Sequence, residues 1–217
     1  MWYALPMKQL IRTQLSGIAW SLGLVVTGLA VIAWGSGLRW DFTALSPYDL
    51  FPLFGLLAFS LMWTHYIVLA LRVYADAPGV PLYASVTQRI VLFCLLAHPG
   101  ILIFSLYQDG FGFPPGSYAA YVGDQLVGYA LLGTAAWFAF MSYEFKHWLQ
   151  RTRWWPLVLV ASAIGMLLIL LHSLHLGGDL QSGWFRTVWY VYEALLLLAY
   201  AYLLAKGRLI TMSSSTK

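Results

Sequence analysis

Six stretches of this chain, at 17–36, 50–72, 90–107, 126–145, 156–177 and 188–205, are almost wholly apolar and nearly free of charge. A helix needs about 20 such residues to cross roughly 30 Å of hydrocarbon. Backbone N–H and C=O groups find no water in that layer, so each run must satisfy its own as a helix. A transmembrane β-barrel would need alternating segments of about ten residues, and the sequence has none. The third run is the shortest, and its helix is expected to begin near Ala84. The expected fold is therefore all-α: a polytopic six-helix transmembrane bundle over 17–205, between a short segment at 1–16 and a tail at 206–217.

Composition leads to the same class. Only 9% of the 217 residues are charged and 61% are hydrophobic, whereas a soluble domain carries about 25% charged residues. So few charges cannot cover a water-facing surface. The net charge of +4 is no nucleic-acid footprint, because the basic residues sit at the ends of apolar runs rather than in one patch. A single cysteine, Cys94, excludes a disulfide framework or a Cys-rich metal site. The first run follows Lys8 and Arg12 as a signal peptide would, but it is long enough to span and lacks a well-placed cleavage site. It is read as a retained helix.

Orientation follows from the cations. With the N-terminus inside, Lys8, Arg12, Arg72, Arg89, Lys146, Arg151, Arg153, Lys206, Arg208 and Lys217 are cytoplasmic, and only Arg39 and Arg186 lie outside. That asymmetry is the positive-inside rule, with both chain ends in the cytoplasm. Asp41, Asp49, Asp109, Asp124 and Asp179 fall on the outer side. Trp154, Trp155, Trp184 and Trp189 mark span ends as interfacial anchors. The longest outer connection, 108–125, is rich in Gly and Pro and reads as a structured turn-rich loop, either a lid or a plain connector. No internal repeat is apparent, and the final Met-Ser-Ser-Ser-Thr-Lys reads as a short disordered end.

Ionisable residues inside a span are costly and mark function by default. Here they are His65, His98, His172, His175 and Glu193. Glu193 lies close enough to its helix end to snorkel, and Glu144, Lys146 and His147 read as interfacial. Four histidines on three spans suit haem, since neutral imidazole ligates iron and a bundle core can hold a porphyrin between facing helices. Any one of them could instead bond a neighbouring helix. By helix rise His65 lies about 10 Å from Arg72, His98 about 13 Å from Arg89, and His172 about 10 Å from Asp179. That counting makes His65 nearly level with His98 and leaves the partner of His98 open. His175 shares a face with His172 and is shallower, which suits a structural role or a propionate contact. Pro99 removes the ladder bond to the Leu95 carbonyl and predicts a kink, and Gly100 adds room for a close neighbour. Cys94, one turn below His98, reads as a small hydrophobe.

The stretches Leu-Phe-Pro-Leu-Phe-Gly-Leu-Leu-Ala-Phe-Ser-Leu in the second span, Leu-Leu-Ala-His-Pro-Gly in the third and Leu-Leu-His-Ser-Leu-His ending the fifth resemble the ferric reductase-like transmembrane domain family over about 50–205. That group includes the haem-binding membrane subunit of the methionine sulfoxide reductase system and the membrane part of NADPH oxidases. The resemblance implies b-type haem held by His98 and His172, with His65 and His175 as further cofactor-binding candidates. Family members usually carry a second fifth-helix histidine thirteen residues earlier, where Leu159 stands here, and Gln88 stands about where a glycine would. One haem is therefore expected rather than two.

About a dozen residues follow the sixth span, too few for a flavin and nicotinamide domain. Electrons would come from, or go to, a separate flavoprotein, a quinol or a periplasmic redox protein, with the chain as an oxidoreductase component. The expected location is the cell membrane, of prokaryotic inner-membrane type, with lipid as the immediate partner and no nucleic acid. The competing expectations are a small transporter or channel with histidines along a polar path, and a structural subunit with histidines that pack helices.

Overall fold

The computed structural model describes residues 4–181 and 183–209. The Met-Ser-Ser-Ser-Thr-Lys tail lies outside them. Eight α-helices and two short 3-10 turns, with no strand among the described residues, account for the secondary structure. Six helices are long and apolar enough to cross a membrane: α1 (Ala4–Gly37), α2 (Pro47–Ala75), α3 (Pro81–Gln108), α5 (Val127–Glu144), α7 (Trp155–Leu176) and α8 (Trp184–Ala205). Two short ones, α4 (Tyr118–Val122) and α6 (Lys146–Leu149), lie in connections.

Helices α1, α2, α3 and α8 extend beyond the apolar runs, because a helix does not stop where its side chains become polar. The first starts at Ala4, well inside the expected flanking segment, and the third at Pro81 rather than near Ala84. Their ends carry local signals. At the start of α2 the Asp49 carboxylate accepts the Ser46 N–H at 2.9 Å and the Ser46 hydroxyl at 2.7 Å, which ties down the free first turn. Its far end closes at Asp76 in the left-handed region, φ 49°. Both α3 and α7 carry proline in their first turn, where the missing N–H costs nothing.

Consecutive long helices run antiparallel. Late α1 meets early α2 where Trp34 Nε1 donates to the Asp49 carbonyl at 2.6 Å, and early α8 meets late α7 where Trp189 Nε1 donates to Ser173 Oγ at 3.1 Å. Six spans therefore leave both ends of the described chain on one face, here termed the basic face for its Lys and Arg residues. Helix α2 is the hub, packed against α1, α3, α7 and α8. Its contact with α8 is aromatic: Phe59 lies 4.4 Å from Trp189, and Trp63 stacks on Tyr192 at 4.6 Å while donating to its carbonyl at 2.8 Å. Outward-facing Leu24, Phe93, Phe104, Phe138 and Leu198 are exposed, as a lipid-facing exterior requires. The molecule is a multi-pass membrane bundle.

Pro99 does not interrupt α3, which stays helical to Gln108. The Leu95 carbonyl that Pro99 orphans instead accepts the indole N–H of Trp137, on α5, at 2.8 Å. A lost ladder bond has become a link between two helices.

Candidate functional site

In the half of the bundle away from the basic face, two hairpins of helices, α2–α3 and α5–α7, each seat one histidine on a backbone carbonyl of the hairpin's other helix. On α3, His98 Nδ1 lies 2.8 Å from the Phe51 carbonyl of α2. On α7, His172 Nδ1 lies 2.9 Å from the Tyr129 carbonyl of α5. A carbonyl oxygen only accepts, so in both rings Nδ1 carries the proton. Among the described residues Nε2 has no hydrogen-bond partner in either ring. Both residues are half-buried.

Glycine makes room for both rings. A Cβ on Gly55 would stand 2.8 Å from Cε1 and 2.9 Å from Nδ1 of His98. A Cβ on Gly133 would stand 2.6 Å and 2.4 Å from the same atoms of His172. The residues that seat the imidazoles, Gly55 and Gly133 with the Phe51 and Tyr129 carbonyls, carry no side-chain chemistry. Nothing in the sequence marked their role.

The 108–126 connection forms a roof over this level. Short helix α4 interrupts what the sequence suggested would be turns alone. Its Tyr121 stacks on Tyr48 at 5.5 Å and meets Phe51 at 6.0 Å, above the His98 seat. The Tyr118 hydroxyl is 2.7 Å from Thr134 Oγ1, next to Gly133 and the His172 seat. Burial, with the Asp49 carboxylate, pushes the Tyr121 phenol above its usual range. Ser117 is 1% exposed and its hydroxyl has no partner.

The other two candidate histidines lie elsewhere. His65 Nε2 is 2.7 Å from Thr87 Oγ1, whose own proton goes to the Tyr83 carbonyl at 2.7 Å. The His65 ring therefore donates through Nε2. Thr87 precedes His98 by eleven residues on α3, so His65 sits about 16 Å nearer the basic face. The expectation that His65 is level with His98 is corrected. It took Arg89 as the inner end of α3, but that helix begins two turns earlier, at Pro81. His175 donates Nδ1–H to the Leu171 carbonyl of its own helix at 2.8 Å, and its exposed ring stacks on Tyr129 at 3.7 Å and 9°. It buttresses the residue whose carbonyl holds His172.

Toward the basic face, α2, α3, α5 and α7 surround a cavity of about 250 Å³ lined by His65, Tyr83, Gln88 and Glu144 together with apolar Leu95 and Met166. Gln88, read from sequence only as a departure from a glycine, is the hub of its polar wall. Its amide donates to Glu144 at 3.1 Å and its carbonyl accepts from Lys146 at 2.8 Å. Cys94 is buried within the apolar core.

Among the described residues no group of three or more His, Cys, Asp or Glu side chains is placed to hold a metal ion. The donor set that a haem would need is two imidazoles, and His98 and His172 offer it from different hairpins, each with Nδ1–H on a carbonyl and Nε2 without a partner among the described residues. The chain matches no protein family, no curated protein and no solved structure.

Proposed function

We propose that this chain is a b-type haem-binding membrane electron-transfer protein, of the ferric reductase-like kind its sequence resembles, with His98 and His172 as the axial pair. One observation carries the reading. In both rings the Nδ1–H is given to a backbone carbonyl and Nε2 is left free, which is how ligating histidines are held. Helix packing alone accounts for the Nδ1 bonds but not for two Nε2 atoms that have no partner among the described residues.

When bound, haem supplies reversible one-electron exchange. The chain's own residues do the rest. The Phe51 and Tyr129 carbonyls fix each ring's tautomer and direct its lone pair. Apolar neighbours and the α4 roof keep water from the site. The cavity at the basic face offers a donor, whether a quinol or a separate flavoprotein, an approach to within one helical turn of His98, since Leu95 lines its upper end. On the positive-inside rule that face is cytoplasmic and the roof faces the periplasm of a prokaryotic inner membrane, where a redox partner would take the electrons.

Purified protein reduced with dithionite should show a six-coordinate low-spin b-type spectrum with about one haem per chain, because two imidazoles give a strong ligand field. His98→Ala and His172→Ala should each abolish it. His65→Ala and His175→Ala should not. Folded protein from haem-replete cells that shows no Soret band would end this reading, and loss of the spectrum in His65→Ala but not in His172→Ala would overturn the pairing.

A further inference from the structure

The two histidine seats correspond in more than chemistry. In each, an imidazole donates Nδ1–H to the carbonyl of an aromatic residue four positions before a glycine: Phe51 before Gly55, and Tyr129 before Gly133. In each, the ring presses on that glycine, at a separation a Cβ could not share. In each, the histidine stands seventeen residues after the first residue of its helix, from Pro81 to His98 and from Trp155 to His172, and proline occupies the helix's first turn. Both hairpins start at the roof, run to the basic face and return.

We infer that α2–α3 and α5–α7 are two copies of one half-site, related by a pseudo-two-fold axis along the membrane normal. Gly55 and Gly133 are its equivalent positioning residues. Hairpins inserted in the same direction can be related by such an axis, and equivalent residues then fall at equal depth. Counted from Arg89 on one side and Asp179 on the other, across roughly 30 Å of hydrocarbon, His98 and His172 would differ in depth by about 5–7 Å; counted from their helix starts they do not differ. Glycine inside a helix costs about 1 kcal/mol relative to alanine. Here it removes the atom that would push the ring off its carbonyl. With that bond made, the ring keeps one tautomer. A ring displaced by a methyl group loses the bond, and Nε2 ceases to be the obligatory acceptor. Use of the half-sites as iron ligands rests on the function proposed above; the docking of each ring on its glycine does not.

The test uses the full chain in nanodiscs and needs no haem. Gly55→Ala should lower the thermal midpoint by several degrees in the parent, and in a His98→Ala background, where the ring is gone, should instead raise it slightly, as alanine does for glycine in a helix. Gly133→Ala with His172→Ala should behave in the same way. In haem-free 15N-histidine spectra, Gly55→Ala should remove the Nδ1–H signal of His98 and keep that of His172, and Gly133→Ala the reverse. Gly28→Ala and Gly128→Ala, where an added Cβ meets nothing within 4 Å, should not lower the midpoint and should leave both Nδ1–H signals in place. A Gly55→Ala loss that persists without the His98 ring, or Nδ1–H signals that survive both variants, would overturn the inference. A wild type that shows both couplings yet takes up no haem would retain the half-sites and remove the electron-transfer function. In haem-loaded protein each glycine variant should lose the low-spin spectrum to a similar degree, and two unaltered spectra would again overturn the positioning role.

Discussion

Trp137→Phe tests how this bundle absorbs an intramembrane proline. Pro99 has no N–H, so the Leu95 carbonyl loses its partner in α3, and Trp137 Nε1 replaces it at 2.8 Å. Leu95 is 8% exposed, and water cannot substitute for the indole there. An unsatisfied buried acceptor costs about 1–3 kcal/mol, and the smaller phenyl ring adds a packing loss of similar order. The hydrogen-bond share alone depends on Pro99. Pro99→Ala restores an N–H one turn from Leu95, so in that background Trp137→Phe should lose only the packing share. A double-mutant cycle on purified protein in micelles, read by thermal or denaturant unfolding, isolates the difference. The expected coupling between positions 99 and 137 is about 1–3 kcal/mol. A Trp137→Phe loss of the same size with alanine and with proline at 99 would refute the argument.

Topology is tested by cysteine labelling in intact cells. Gln125→Cys, exposed in the roof connection, should react with an impermeant reagent, and Arg151→Cys, exposed on the basic face, should not; the opposite pattern would invert the bundle. Position 117 is unsuitable for this purpose, because Ser117 is buried. Burial raises the Asp179 carboxyl above its usual value. With the folded pKa above the unfolded one, protonation favours the fold, and stability declines as pH rises from the unfolded value through the folded one. Asp179→Asn should remove that decline and raise the neutral-pH thermal midpoint, and an unchanged pH profile would count against it. Conversely, Thr43 hydrogen bonds hold the Asp41 carboxyl below its usual value. Its contribution, present above the unfolded value, fades as pH falls through the folded one, and Thr43→Val should weaken that acid dependence.

The class of this protein was legible in the linear sequence, because lipid imposes it one segment at a time. A run such as 156–177 must be a helix whatever it packs against, and Lys and Arg at alternate loop ends orient it without reference to any neighbour. The intramembrane histidines were equally visible, being the polar exceptions in apolar spans. Their grouping was not. Depth counted from Arg89 placed His65 beside His98, and only the observed start of α3 at Pro81 separates them. That Pro99 leaves the Leu95 carbonyl without its ladder partner was a local inference; that a distant residue, Trp137, satisfies that carbonyl was not legible. The seats of His98 and His172 are glycine surfaces and backbone carbonyls, which every helix possesses and no residue type advertises. Composition and helix periodicity act within a segment, so the sequence by itself determined the spans and their candidate ligands. Which histidines rest on a neighbouring helix's carbonyl depends on helix ends and contacts between residues some forty positions apart, and tertiary structure alone decided that.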